Sequence, residues 1–260
     1  MFDKTSEMME KEWSERAKKD AFHFTLVRGG KIWDEQEFFE SGRADICEFA
    51  LSLFKEVGFN PKGKRMLDLG CGVGRMTRAF AQLCDFDEVC GVDVSEEMIA
   101  LAKEFNQDIF NIKFIKNNGL DLRYFGDGYF DFVFSYIVFQ HIPDKEIIFK
   151  YIDEVARVLK YGGYFKFQLS NEYAHRAFGK IPVPWFIISN SPKWIIERLM
   201  ELPFKWEPRE NIKLRTGRTW TGTRRVSQKE LTKVIRDSHL KILKTEGTRY
   251  LWYSTQKSLI

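Results

Sequence analysis

The chain has 260 residues, 44% of them apolar and 30% charged, with a formal net charge of +4. That apolar content is enough to bury a large core and excludes a disordered chain, while so small a net charge gives no ground by itself for nucleic-acid binding. Four cysteines, at positions 47, 71, 84 and 90, form no CxxC pair and the four histidines are scattered, so reduced thiols, a cytoplasmic setting and no structural metal are expected.

The opening sequence MFDKTSEMMEKEWSERAKKD mixes both charge signs with no apolar run ahead of small residues, so no signal or transit peptide is expected. No apolar run approaches the roughly 20 residues of a membrane-spanning helix. Residues 1–42 read as an N-terminal helical cap segment, and an α/β core follows from 43 to 170. Ile46, Phe49, Ala50, Leu53, Phe54 and Val57 recur at helical spacing before Gly58, Pro61 and Gly63 break the pattern. A short strand ends in MLDL, and a helix carries Met76, Phe80 and Leu83. EVCGVD is the second strand, and Ser95 with Glu96 and Glu97 supplies an N-cap and first-turn acids for the next helix. The third strand is expected at Ile112 to Lys116 and the fourth at Phe130 to Val138. Pro143 suits a first helical turn, and Ile148, Tyr151, Ile152, Val155 and Leu159 carry the helix, which Gly162 and Gly163 would stop before YFKFQL forms strand five.

The alternation then ceases. Residues 171–220, with Pro182, Pro184, Pro192, Pro203 and Pro208 among their aromatics, read as an inserted lid. Residues 221–260 complete the core: Ser227 and Glu230 make a capping box before Leu231, Val234 and Ile235, and LKILKTE and RYLWYST flank Gly247 and Thr248 as an antiparallel hairpin. The expected architecture is therefore α/β and Rossmann-like. It has a mostly parallel seven-stranded sheet with helices on both faces, the hairpin at one edge, and the lid between strand five and the last helix.

Between the first strand and its helix lies Asp68-Leu69-Gly70-Cys71-Gly72-Val73-Gly74-Arg75. Glycines there permit a tight turn and let backbone N–H groups approach a ligand. A dinucleotide fingerprint beginning at Gly70 needs its third glycine at 75, where arginine stands, so the nicotinamide-cofactor reading is disfavoured. Asp93 ends the second strand about 20 residues later, the interval at which an acid reaches a ribose hydroxyl pair.

Taken in order, DLGCGVGR, GVDVSEEMI, NNGLDL, FDFVFSYIVFQHI and RVLKYGG resemble the successive motifs of class I S-adenosylmethionine-dependent methyltransferases over about residues 64 to 170. The resemblance implies S-adenosylmethionine as cofactor and S-adenosylhomocysteine as product. It implies that the loop of Gly70, Cys71, Gly72, Gly74 and Arg75 faces the methionine part, with Asp68 helping to hold its ammonium. Asp93 would bind the ribose, Val94 and Met98 would pack on adenine, and Asn118, Gly119 and Leu120 would contact the adenine edge. Ser135, Tyr136 and Ile137 would lie beneath the cofactor.

For the chemistry, a hydroxyl acceptor must lose its proton, and His141, assisted by Gln140, is the candidate base beside a structural capping reading of the same histidine. The acceptor pocket is expected from two segments. The first offers Trp13, Phe22, Phe24, Trp33, Phe38 and Phe39. The insertion offers Trp185, Phe186, Trp194, Phe204, Trp206 and Trp220. Lys205, Arg209, Lys213, Arg215, Arg218, Arg224 and Arg225 suit either an anionic acceptor or a solvated loop. The function expected is methyl transfer to an O or N atom of a small metabolite of anionic or amphiphilic character, by a monomer or homodimer. RNA methylation and a non-catalytic S-adenosylmethionine-binding role remain as alternatives, the first weakened by the lack of an NPPY-type motif.

Overall fold

The structure, a computed structural model, describes residues 2–26, 32–170, 226–247 and 250–258. Seven strands form one sheet in the order β3-β2-β1-β4-β5-β7-β6. They are β1 (Arg65–Leu69), β2 (Glu88–Asp93), β3 (Ile112–Lys116), β4 (Phe130–Ser135), β5 (Leu159–Ser170), β6 (Leu240–Glu246) and β7 (Tyr250–Lys257). The first five run parallel, and β7 pairs antiparallel with both β5 and β6. The expected seven-stranded α/β sheet with an antiparallel hairpin edge is what forms.

The helices are α1 (Phe2–Thr25), α2 (Glu35–Ile46), α3 (Ser52–Val57), α4 (Arg75–Leu83), α5 (Glu96–Phe105), α6 (Lys145–Val158) and α7 (Gln228–Asp237). Helix α6 buries Ile147, Ile148, Tyr151, Ile152 and Val155, and with Leu231 and Ile235 of α7 it covers one sheet face around Val133, Phe165 and Phe167. On the other face Leu53, Phe54, Met76, Ala79 and Phe80 pack on Met66, Val89, Phe132 and Phe134. Burial on both faces is why the central strands read as continuous apolar runs. Helix α1 packs along α5, and its apolar side joins Phe38, Val73 and Met98 in a satellite cluster.

Caps act where the sequence places them. Ser95 accepts from Met98 N–H, and Ser227 with Glu230 closes a complete capping box. Several boundaries differ from expectation. Helix α2 starts at Glu35, capped by Asp34, and runs through residue 43, the expected start of the core, into a π-helical turn (Cys47–Leu51) and α3. Strand β4 stops at Ser135 rather than Val138, because Ile137 adopts φ 59° and the chain turns into a 3-10 turn at Phe139–His141. Helix α6 ends at Val158, and Leu159 already begins β5, so Gly162 and Gly163 lie within that strand. Pro143 precedes the cap Asp144 instead of entering the first turn. The inserted segment at 171–220, with its prolines, aromatics and basic residues, lies outside the described residues.

The chain runs outward from β1 through β2 to β3 and then returns to β4 on the other side of β1. That reversal opens a crevice at the carboxyl ends of β1 and β4, where open α/β sheets bind their ligands.

Candidate active site

The crevice is an open cleft of about 780 Å³, solvent at its mouth included. The turn after β1 forms its floor. Gly70 N–H and Cys71 N–H both donate to Val92 O, at 2.8 and 2.9 Å, which pins the turn against the tip of β2. Gly70 has φ 78°, and a Cβ there would stand 2.3 Å from Val138 Cγ2. Only glycine meets both conditions. Asp93, at the end of β2, accepts from Gly72 N–H and from Ser95 N–H, each at 2.9 Å. Burial raises its pKa against the pull of these backbone donors. A carboxylate has about four acceptor positions, so with the backbone of Gly72, Ser95 and Val94 around it capacity remains for a ligand hydroxyl.

The cleft brings together most of the residues that the sequence assigns to the cofactor: Gly70, Gly72, Asp93, Val94, Met98, Gly119, Tyr136 and Ile137, with His141 at the same wall. The others lie elsewhere. Asp68 is buried behind the turn, accepts from Thr77 Oγ1 at 2.6 Å, and is pushed up to about 6 chiefly by desolvation. Cys71 points into the core beside Gly91, and burial pushes its thiol up. Gly74 serves packing, since a Cβ there would meet Phe114 Cζ at 2.7 Å and Asn106 Nδ2 at 2.8 Å. Arg75 turns away, donating to Asp45 at 2.7 Å and to Ser41 at 3.1 Å. Ser135 Oγ ties β4 to β1 by donating to Leu69 O at 3.0 Å. Asn118 turns its amide oxygen back to Leu120 N–H and Asp121 N–H, while Leu120 joins the core. It is the neighbouring Asn117 that lines the cleft, donating to Tyr151 Oη at 3.0 Å and accepting from Gly119 N–H at 3.1 Å.

Helix α1 closes the cleft from above. Met9, Trp13, Phe24 and Thr25 all line it, and the aromatic pair Trp13 and Phe24 was visible in the sequence as pocket material. Met9 and Thr25 carry no sequence signal; only the path of α1 brings them there. Thr25 Oγ1 sits over Gly72 and is buried with no hydrogen-bond partner among the described residues. A buried hydroxyl of this kind suits a polar ligand in the cleft. So do the glycine cradle and the Asp93 carboxylate at its edge. Helix α1 is held to the core by Ser6 donating to Asn118 O, by Ser14–Ser95 at 3.0 Å and by ion pairs of Lys18 with Glu97 and Lys116 with Glu10, each at 2.5 Å.

His141 ends the 3-10 turn after β4, edge-on to Trp13 with ring centroids 5.4 Å apart. Burial, aided by the nearby Arg16 charge, pushes its pKa down to about 4, so the ring is neutral at pH 7. Gln140 Oε1 is buried without a hydrogen-bond partner among the described residues. Ile137, a β-branched residue at positive φ, lies on the cleft wall between them and β4. Such strain is held in place by its surroundings and concentrates at functional sites.

A glycine turn at the sheet's topological switch and an acid at the next strand tip form the kind of C-terminal crevice in which open α/β sheets bind their ligands. Residues 67–167 match the family model described as "Methyltransferase domain". Over 103 residues the chain is 36% identical to the 2-methyl-6-phytyl-1,4-hydroquinone methyltransferase of Synechocystis sp. (strain ATCC 27184 / PCC 6803 / Kazusa), covering 40% of this chain and 31% of that protein. Over 104 residues it is 35% identical to the demethylmenaquinone methyltransferase of Bacillus licheniformis, covering 40% of this chain and 43% of that one. The chain thus matches less than half the length of these curated relatives. Among solved structures, the Synechocystis PCC 6803 magnesium protoporphyrin IX methyltransferase with bound S-adenosylhomocysteine superposes with TM-score 0.61 at 16% identity over 96% of this chain and 99% of that chain. A Haemonchus contortus phosphoethanolamine N-methyltransferase gives TM-score 0.65 at 16% identity over 98% of this chain and 49% of that chain. At these identities the structural likeness shows the fold. Residues 67–167 thus resemble a methyltransferase domain in sequence, and the chain shares its fold with solved methyltransferases. Among the described residues no helix is long and apolar enough to cross a membrane.

Proposed function

We propose that the chain transfers the methyl group of S-adenosylmethionine to an O or N atom of a small-molecule acceptor of amphiphilic character. The observation that carries this is Asp93, held by Gly72 N–H and Ser95 N–H at 2.9 Å with acceptor capacity left over, at the mouth of a glycine-walled cleft of about 780 Å³.

The bound cofactor supplies an electrophilic methyl group on a sulfonium, which needs little besides an aligned nucleophile. The chain's own residues do the rest. Asp93 takes the ribose hydroxyls, and Val94 and Met98 pack on the base. The Gly70–Gly72 turn with Thr25 holds the amino-acid end. Trp13, Phe24 and Tyr136 line the cleft and exclude water from it. His141, neutral at pH 7 with a pKa pushed down to about 4, orients the acceptor by hydrogen bonding. Deprotonating a phenol of ordinary pKa ~10 with such a base spans about six units, on the order of 8 kcal/mol, too large a step to assign to it alone. The relatives' names support a small ring-bearing acceptor, because they act on a hydroquinone and on demethylmenaquinone.

Titration of S-adenosylhomocysteine into the protein tests the reading. Asp93→Ala should weaken binding at least about tenfold, the loss of two charge-assisted hydrogen bonds. Absence of affinity in the unaltered chain, or unchanged affinity in the variant, removes it.

A further inference from the structure

We propose that the chain carries a second binding site, for a small oxyanion such as a carboxylate or a phosphate, in the hollow between the end of α6 and the end of β7, with Lys257 and His239 as its donors. The proposal does not depend on the methyltransferase reading. Cleft and hollow stand at opposite ends of the sheet, the first at the carboxyl ends of β1 and β4, the second where β5 begins and the antiparallel β7 finishes.

Four elements converge on the hollow. Asp153 and Arg157 come from α6, Tyr161 from β5, His239 from the turn after α7 and Lys257 from β7, around about 810 Å³ with solvent at the mouth included. Most of the charge there is already matched. Arg157 donates to Glu154 and Asp127, each at 2.8 Å, and to the carbonyls of Phe125 and Leu122. Asp153 accepts from Ser238 Oγ at 2.5 Å. Lys257 is the exception. Its side chain is half-buried, its ammonium donates to Leu159 O at 2.8 Å and stands 4.6 Å over the Tyr161 ring, and no carboxylate pairs with it among the described residues. Asp127, whose charge reaches it, is held by Arg157. Burial, with the Arg157 charge added, lowers the pKa of Lys257 against that pull.

A half-buried cation without a counter-charge favours an incoming anion, because unpaired charge is costly away from water. An ammonium has three donors and the Leu159 carbonyl takes one, so two remain for a ligand. His239 supplies another by way of the backbone. It sits at φ 58°, just past the end of α7, where glycine is the usual residue, and Ser258 N–H donates to its carbonyl at 3.1 Å. Histidine at that position brings an imidazole to the hollow, and no side-chain hydrogen bond engages it among the described residues. Ser258, also on the wall, donates its hydroxyl only at 3.5 Å, to His239 O. Donors thus outnumber free acceptors, since the single acid on the wall, Asp153, is already bonded to Ser238, and that balance selects an oxyanion over a cation.

Isothermal titration of the protein with inorganic phosphate and, separately, with benzoate, at constant ionic strength in chloride, tests the site and tells the two oxyanions apart. At least one should bind with Kd on the order of 1 mM, the scale of two charge-assisted hydrogen bonds. Lys257→Met, which keeps the stem and removes the charge, should weaken that binding about tenfold or more, and Lys257→Arg should hold it within about threefold. His239→Gly, at an exposed position whose backbone suits glycine, should fold normally and weaken binding about three- to tenfold. Urea unfolding reports whether each variant is folded, and should Lys257→Met fail to fold, His239→Gly decides. Binding of neither anion up to about 20 mM overturns the proposal, and so does an affinity left unchanged by a folded Lys257→Met or by His239→Gly. Titration of S-adenosylhomocysteine into the same protein reads the other end of the sheet, so its failure bears on the methyl-transfer reading alone.

Discussion

Replacing Gly70 by alanine tests whether the turn after β1 is fixed by sterics. Two costs combine. The residue sits at φ 78°, where a Cβ costs about 1–2 kcal/mol. The added carbon would also stand 2.3 and 2.7 Å from the two methyls of Val138, and forcing a methyl into a packed site costs about 1–3 kcal/mol. Together Gly70→Ala should destabilise the protein by about 2–5 kcal/mol in urea unfolding. The second cost has a named partner and the first has none. In the double variant Gly70→Ala/Val138→Ala both methyls are gone and the nearest remaining atom is Val138 Cβ at 3.1 Å, so the clash largely disappears while the φ strain persists. A double-mutant cycle should return a favourable coupling of about 1–2 kcal/mol. A Gly70→Ala protein within about 0.5 kcal/mol of the parent, or strictly additive variants, would refute this account of the turn.

His141 titrates at about 4 in the folded chain against 6.5 in its ordinary state, so between those values the unfolded chain binds more protons and stability rises with pH. Asp68 runs the other way. Held up at about 6 against 3.8, it keeps its proton in the folded chain, and stability falls as pH rises through that window. The two slopes nearly cancel, and His141→Gln should therefore unmask a decline between pH 4 and 6, on the order of 2–3 kcal/mol, in urea melts across pH; a flat profile in the variant would count against the Asp68 assignment. Asp45→Ala should cost about 3–5 kcal/mol, because it strands the Arg75 guanidinium in the core, and a second change of Arg75 to methionine should recover much of it by the same measurement. Ser227→Ala removes the α7 capping box and should lower stability by about 1 kcal/mol in thermal unfolding.

Local chemistry made much of the fold legible. Asp93 at a strand tip, the glycine turn, Ser95 and Ser227 as caps and the period-two hairpin are each decided by residues within a few positions, and the structure shows these elements where the sequence indicates them. Boundaries set by tertiary contact were not legible. Ile137 leaves the strand although its apolar, β-branched side chain favours one, because the turn that follows is held by packing beneath α1. Helix α6 passes directly into β5 because Leu159 pairs with Phe130 across the sheet.

In the site the same division holds. The spacing of Gly70, Gly72 and Asp93 determined where the cleft forms, since backbone hydrogen bonds and the absence of Cβ atoms act over short range. Which neighbours face that cleft was decided by side-chain direction. Asp68 turns to Thr77 and Asn117 replaces Asn118, because alternation along an extended chain sends successive side chains to opposite sides, while Arg75, leading α4, turns to Asp45 of α2. The arrival of Met9, Trp13 and Thr25 from α1, and of Trp252 behind Tyr136, brings together residues far apart in the chain. Only the assembled sheet and the path of α1 over it could do that, since no local rule relates such distant residues.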